Sequence, residues 1–425
     1  MTASGTATYL SLARRLGPAL PELAVAALRS LVPGDLDHRR QRNAATVSRV
    51  AARLGGLVIK AGQALAVRAD LFPREWVTAL AWLENQVPPL PFAPIARHLE
   101  RELGRPLSEV FAELESAAVA AASLAQVHRG RLRDGRLVAV KVLYPGIERR
   151  VARDLALLPA LFGLLIRDDA RFEVSAMVAE LTRVIPDELD LTREGRNAER
   201  IASLLAHRDD VRIPRIVWEW TTRRVLVMEF VDGIKITDVA GLQQAGIDLQ
   251  AVARLLVDVY GEQIFAHGEF HADPHPGNLF VLPGPRLTLL DFGLVMRLSD
   301  DARQALGTLL RAVIGDDGEA TESALRRLGF QTTGPDRAPL LALAHLLFKT
   351  LADGRGYADP QRVKEAERRL LETLADNRLV VPSGLTLVAR VMGALSGIGR
   401  QLDSRINVYE IMLRHLAPNS ARPLG

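Results

Sequence analysis

His271-Ala272-Asp273-Pro274-His275-Pro276-Gly277-Asn278, with Leu290-Asp291-Phe292-Gly293 shortly after it, is the stretch from which the rest of the chain is read. Asp273 and Asn278 stand five residues apart, and Asp291 follows eighteen residues after Asp273. Phosphoryl transfer from a nucleotide asks for such a set. One carboxylate orients or deprotonates the attacking hydroxyl. An amide oxygen and a second carboxylate hold the magnesium ions that neutralise the phosphates. On this reading Asp273 is catalytic, and Asn278 and Asp291 are metal ligands. Asp-Phe-Gly alone recurs by chance, but joined to D-x-x-x-x-N at this distance it is specific. The competing reading is a Pro/Gly turn, capped by Asp and Asn, ahead of a strand.

The spacing is that of protein kinases, with His271-Ala272 where H-R is usual. Upstream, Val138-Ala139-Val140-Lys141 matches the kinase strand whose Lys pairs the α- and β-phosphates. Strand alternation puts Lys141 on the face of Ala139, opposite Val138, Val140 and Val142. A solvated strand Lys is the alternative. Asp134-Gly135 predicts a two-residue hairpin between strands near 124–132 and 136–143. The loop ahead of these strands should cover the phosphates. Kinases use glycines there, because glycine lets the backbone approach the ligand. Here Ala120, Ala121, Ala122 and Ser123 stand in that place, so a stiffer loop is expected. The partner of Lys141 should be a Glu on a later helix. Glu194, on a helix expected near 173–207, is the first choice and Glu188 the reserve. Arg223 to Gly233 reads as a buried strand ending in a turn, the position of a kinase hinge. Met228 would back the adenine pocket, and the Glu229 and Val231 backbones would bond the base. After Asp291 the chain turns almost at once to helical sequence, with Ser299 as N-cap. No long activation segment and no A-P-E follow, which argues against a protein substrate. His267, His271 and His275 do not assemble a zinc site, since no further ligand is placed. His271 reads as a structural side chain beside Asp273.

With 425 residues the chain is long enough for two or three packed units. Aromatics are only 5%, so the core must come from Leu, Val, Ala and Ile. A net charge of +4 suits a loose preference for anionic surfaces. No basic run carries interleaved aromatics, which disfavours nucleic acid. The absence of cysteine excludes disulfides and Cys-ligated metal sites. The most apolar window, Leu155 to Ile166, is twelve residues long. A bilayer span needs about twenty. The expectation is therefore a cytoplasmic chain without a transmembrane helix, peripheral to the inner face of a membrane. Residues 1–42 form a weakly helical lead, and a helical pattern begins near Asn43. It contains Lys60-Ala61-Gly62-Gln63, in which Lys60 and Gln63 share a helix face. The expected divisions are a helical extension over 43–110, an N-lobe over 111–232, a mostly helical C-lobe over 233–416 and a tail over 417–425.

Together these residues resemble the UbiB/AarF family of atypical kinase-like proteins. Lys60-Ala61-Gly62-Gln63 matches the family K-x-G-Q, and Ala120 to Ser123 with Gln126-Val127-His128 its alanine-rich loop. Glu188-Leu189-Asp190 matches E-x-D, and His271 to Asn278 matches H-x-D-P-H-P-G-N. Tyr144-Pro145-Gly146 departs from the R-P-G of many members, and Ser396 stands where many have Glu. The C-terminal membrane helices of some bacterial members are not seen. The resemblance implies an α+β, two-lobed protein-kinase-like fold with an N-terminal helical extension over the cleft. It also implies that Lys60 and Gln63 face Glu188 and Asp190 near the nucleotide. The activity it implies is ATP (or ADP) binding with Mg2+, and ATP hydrolysis or phosphoryl transfer to a small molecule. The family is linked to quinone or isoprenoid-lipid metabolism at membranes. A nucleotide-gated lipid-binding scaffold with little turnover is the alternative, and a homo-oligomer is left open.

Overall fold

Runs of Val and Leu punctuated by tight turns organise the described chain into two units. The computed structural model describes residues 89–153, 155, 188–315, 317–330, 383–402, 406 and 408–416. Lys60, Gln63, the lead, most of the 43–110 extension, residues 331–382 of the expected C-lobe, and the tail lie outside the described residues. One unit holds the chain up to Arg193 together with Ile216–Phe230; the other holds Glu194–Arg215 and the chain from Val231. The strands are β1 (Phe111–Ala121), β2 (Ala125–Leu132), β3 (Leu137–Leu143), β4 (Val211–Arg212), β5 (Val225–Glu229), β6 (Ile234–Lys235), β7 (Glu269–His271), β8 (Leu279–Leu282), β9 (Arg286–Leu289) and β10 (Val295–Arg297). The helices, numbered among the described residues, are α1 (Phe92–Leu103), α2 (Leu107–Val110), α3 (Leu191–Leu204), α4 (Val239–Gln244), α5 (Leu249–Gly261), α6 (Asp300–Ile314), α7 (Gly318–Arg327), α8 (Ser383–Gln401) and α9 (Val408–Leu413).

In the first unit, β1-β2-β3-β5 form an antiparallel sheet. Val138, Val140, Val142, Val225 and Val227 are fully buried at its centre. β-Branched side chains suit this pleated, two-sided packing. α1 begins after Pro91 and ends at left-handed Gly104. Ile95 and Leu99, one helical turn apart, face the core. Two expectations are corrected here. The β2–β3 connection is not a two-residue turn on Asp134-Gly135. Leu132 pairs with Arg136, so Arg133, Asp134 and Gly135 form a three-residue loop closed by Gly135 at φ 89. The alanine tract is also mostly strand rather than loop. Ala117 to Ala121 end β1, irregularly paired with β2, and only Ala122-Ser123-Leu124 are left as the turn.

In the second unit the sheet order is β4-β9-β8-β6, and β7 pairs with β10 apart from it. Val252, Leu256, Val259 and Tyr260 bury one side of α5. α5 continues without a break into a π-helical stretch, Glu262–His267, which stops at left-handed Gly268. The Ser299 hydroxyl caps α6 by accepting from the Ala302 N–H, as expected of that residue. Val391, Leu395 and Ile398 bury one face of α8. Among the described residues no helix is long and apolar enough to cross a membrane.

Candidate active site

His271 is fully buried at the end of β7, and each of its polar groups is engaged. Its N–H donates to Gln263 Oε1 at 3.0 Å. Its Nε2 lies 2.8 Å from the Asp291 carbonyl, and its Nδ1 lies 3.0 Å from the Tyr260 hydroxyl. A carbonyl only accepts, so Nε2 carries the hydrogen and Nδ1 accepts from Tyr260. Burial lowers the imidazole pKa, which keeps this neutral tautomer. The His271 ring also meets Phe292 edge-on at 5.2 Å. The expectation that His271 is structural corresponds to this strut, which joins β7 to the Asp-Phe-Gly turn.

That turn is held in an unusual shape. Asp291 has φ 58, the one non-glycine residue with positive φ among the described residues. Its Oδ1 accepts from the Gly293 N–H at 3.3 Å, and Asn197 Nδ2 on α3 donates to the Phe292 carbonyl at 3.0 Å. Asp273 to Asn278 form a second compact turn. The His275 N–H donates to the Asp273 carbonyl and the Asn278 N–H to the His275 carbonyl. The Leu290 N–H then donates to the Asn278 carbonyl at 2.8 Å, which joins the two turns one residue before Asp291. Asp273, Asn278 and Asp291 are all partly accessible. Asp273 Oδ1 accepts from Arg390 Nη2 on α8 at 2.8 Å.

In the first unit, Lys141 is half-buried on β3, with Val140 and Val142 buried on either side. The alanine turn leads into β2, the strand that pairs with β3. Ser123 is buried and its Oγ has no hydrogen-bond partner. The Tyr144 hydroxyl donates to the Ala122 carbonyl at 3.0 Å, so the residue that departs from R-P-G fastens this loop. Gln126 bonds both the N–H and the carbonyl of Leu90. His128 Nδ1 lies 2.8 Å from the Glu115 carbonyl, while its Nε2 meets Gln126 Nε2 at 2.7 Å. The Q-V-H part of the alanine motif therefore anchors the chain entering α1. β5 ends at Glu229. The following Phe230 N–H donates to Leu137, and Met228 is half-buried. Val231 begins the second unit's main segment. Asp190 caps α3, its Oδ1 accepting from the Thr192 N–H and hydroxyl, and it pairs with Arg223. Glu188 precedes it and is half-buried, whereas Glu194 in the first turn of α3 is buried. Sequence reasoning did not single out Tyr260 or Gln263, marked Tyr144 only as a departure from R-P-G, and gave Arg390 no role at the site. The first two sit on a helix face that reads as ordinary core, and Arg390 is remote in sequence.

The residues present suit magnesium. Asn278 and Asp291 offer oxygen donors, and that ion takes one or two carboxylates along with phosphates and water. No group of three His, Cys, Asp or Glu that could hold a metal occurs among the described residues. This leaves the two-ligand arrangement as the candidate. The buried Ser123 hydroxyl is a donor without a partner at the turn expected over the phosphates.

A family model described as the ABC1 atypical kinase-like domain matches residues 82–324. The chain is 34% identical over 393 residues to Arabidopsis thaliana Protein ACTIVITY OF BC1 COMPLEX KINASE 8, chloroplastic, covering 84% of this chain and 52% of that protein. It is 40% identical over 279 residues to Xenopus tropicalis AarF domain-containing protein kinase 1, covering 64% of this chain and 53% of that protein. The chain thus spans about half the length of these relatives. The mouse protein of that same name is 32% identical, with 87% of this chain and 73% of that protein covered. A solved structure, the Rv3197–erythromycin complex from Mycobacterium tuberculosis, matches with a TM-score of 0.60 and 25% identity, covering 88% of this chain and 95% of that one. The fold is accordingly kinase-like and α+β, and the chain belongs to the ABC1 atypical kinase-like family, which includes the AarF-domain kinases.

Proposed function

We propose that this protein binds Mg-ATP and hydrolyses it or transfers its terminal phosphoryl group to a small molecule, in support of quinone or other isoprenoid-lipid metabolism at a membrane surface. The observation that carries the reading is the joined pair of turns. His271 and Asn197 hold the Asp291 turn by its backbone, and the Leu290–Asn278 hydrogen bond ties it to the segment that begins at Asp273. Asp273 positions the attacking water or hydroxyl. The acceptor oxygen bonds to the γ-phosphorus, its proton passes to Asp273, and the bond to the β–γ bridging oxygen breaks. The electron pair leaves with ADP. Magnesium bound by Asn278 and Asp291 would neutralise charge on the phosphates. Lys141 would hold the α- and β-phosphates, with Glu194 as its orienting partner and Ala120 to Ser123 above them. The hinge backbone at Glu229 and Val231, beside Met228, would take the base. Lys60 and Gln63, with Glu188 and Asp190, would close over the nucleotide.

The test is phosphate release from Mg-ATP by the purified chain, with and without anionic liposomes, beside Asp273→Asn. Liposome-stimulated release that the variant loses is expected. Unchanged release in the variant removes the assignment. The alanine turn fastened by Tyr144 favours a second reading, a nucleotide-gated lipid-binding protein with little turnover. That reading predicts a nucleotide-raised melting temperature without phosphate release.

A further inference from the structure

Among the described residues, one guanidinium reaches the Asp273 carboxylate. Arg390 Nη2 donates to Oδ1 at 2.8 Å, across 117 residues of sequence. Arg390 belongs to α8, beyond the residues 82–324 that define the family match. Both side chains are partly open, 40% for Arg390 and 31% for Asp273. An ion pair this exposed contributes little to stability, so it is a weak candidate for a structural staple. Its geometry is more informative. Among the described residues the hydrogen bond is to Oδ1, which leaves Oδ2 to accept from a nucleophile. α8 is itself anchored, with Val391, Leu395 and Ile398 buried. The Asp273 backbone is held within its own turn, its carbonyl accepting from the His275 N–H at 2.7 Å. A carboxylate with a fixed backbone still has side-chain rotamers to lose. A guanidinium on a packed helix selects one of them.

We propose that Arg390 is a positioning residue for the phosphoryl-transfer site. It binds Oδ1 of Asp273 so that Oδ2 is presented to the attacking water or hydroxyl. The proposal rests on the reading of Asp273 as the group that receives the nucleophile's proton. The sequence beyond the family match would then supply part of the catalytic geometry.

The experiment is steady-state phosphate release from Mg-ATP by the full chain and by Arg390→Met, Arg390→Lys, Asp273→Asn and the double variant Arg390→Met/Asp273→Asn. Melting temperatures are recorded with and without nucleotide. Arg390→Met is expected to lose about ten- to hundredfold in kcat, the scale of a misplaced catalytic group. Its KM for Mg-ATP and its nucleotide-induced melting shift should stay within about twofold of wild type, because the residue touches Asp273 rather than the nucleotide. Lys should recover part of the loss, since it restores the charge and one donor. The Met substitution should cost nothing further in the Asp273→Asn background. Wild-type kcat in Arg390→Met, with Asp273→Asn inactive, overturns the proposal and leaves the site reading standing. Equal loss from kcat and nucleotide binding, without rescue by Lys, also overturns it. Full turnover in Asp273→Asn, or none in the wild type, overturns the site reading and the proposal together. If Arg390→Met does not fold, the Lys variant carries the kcat-against-KM comparison.

Discussion

Asp291 combines two demands in one residue. Its backbone is left-handed at φ 58, a region that costs a side chain of order 1–3 kcal/mol. Asp and Asn tolerate it better than most residues, because a short polar side chain can bond locally. The Oδ1 contact with the Gly293 N–H is that local bond. The His271 imidazole and the Asn197 amide hold the two adjoining carbonyls, so neighbouring side chains help to bear the strain. Asp291→Asn therefore separates fold from chemistry. It keeps the left-handed preference and a side-chain oxygen for Gly293, and it loses the charge that would face magnesium. The variant should melt within about 2 °C of wild type, while Asp291→Val, branched at the same φ, should lose about 2 kcal/mol or more. Magnesium-dependent stabilisation by nucleotide should vanish in the Asn variant. A wild-type magnesium-dependent shift in thermal melts of Asp291→Asn would sink the ligand assignment.

At the scale of elements, the part that sequence reasoning could not supply is the π-helical end of α5. A mostly helical C-lobe was legible, as were the strand with Lys141, the strand leading to the hinge position, and Ser299 at the start of α6. Periodicity does not distinguish an α turn from a π turn over six residues, so Gln263 and Tyr260 read as core positions. The alanine run was equally opaque, since a string of Ala carries no alternation to mark a strand. Arg390 was illegible because it meets Asp273 only through tertiary packing. The π stretch has its own support. Arg208 Nη1 donates to Glu262 Oε2 at 2.8 Å and to Asp258 Oδ2 at 2.7 Å, while its other edge pairs with Asp210. His207 and His267 lie against Glu262 Oε1. One residue on, Gln263 receives the His271 N–H. Removing one partner of a buried ion network costs about 3–5 kcal/mol, because the others stay behind without compensation. Arg208 is 12% exposed and Glu262 9%, so Arg208→Met belongs near the low end of that range. The expected outcome is a loss of about 3 kcal/mol in urea unfolding, with phosphate release reduced below the melting transition. A variant as stable as wild type would show that the cluster is peripheral to the π stretch.

The same cluster contributes to how the molecule should respond to acid. His415, in the turn after α9, reaches back to Asp258 Oδ1 at 2.9 Å, and Arg311 on α6 holds the neighbouring Leu416 carbonyl. The end of the described chain is thus fastened to α5 through the Asp258 carboxylate and to α6 through Arg311. Burial alone would push Asp258 up, but the His415 and Arg208 hydrogen bonds more than reverse it, to about 2. Burial likewise opposes ionised Glu262, and hydrogen bonds from His267 and Arg208 bring it to about 2. Both values lie below those of the unfolded chain, about 3.9 and 4.3. The unfolded state therefore takes up protons first as pH falls. The stabilisation is fully present above about pH 5 and is lost progressively between there and pH 2. Melting temperature should be nearly level from pH 7 to 5 as far as these two groups decide it, and then fall steeply. In Arg208→Met the carboxylates lose a cation and their depression shrinks, so the variant starts lower at pH 7 and declines less. The gap between the two proteins should narrow from pH 5 toward pH 2. Parallel melting curves across that window would mean that Asp258 and Glu262 are not where the folded molecule stores its acid sensitivity.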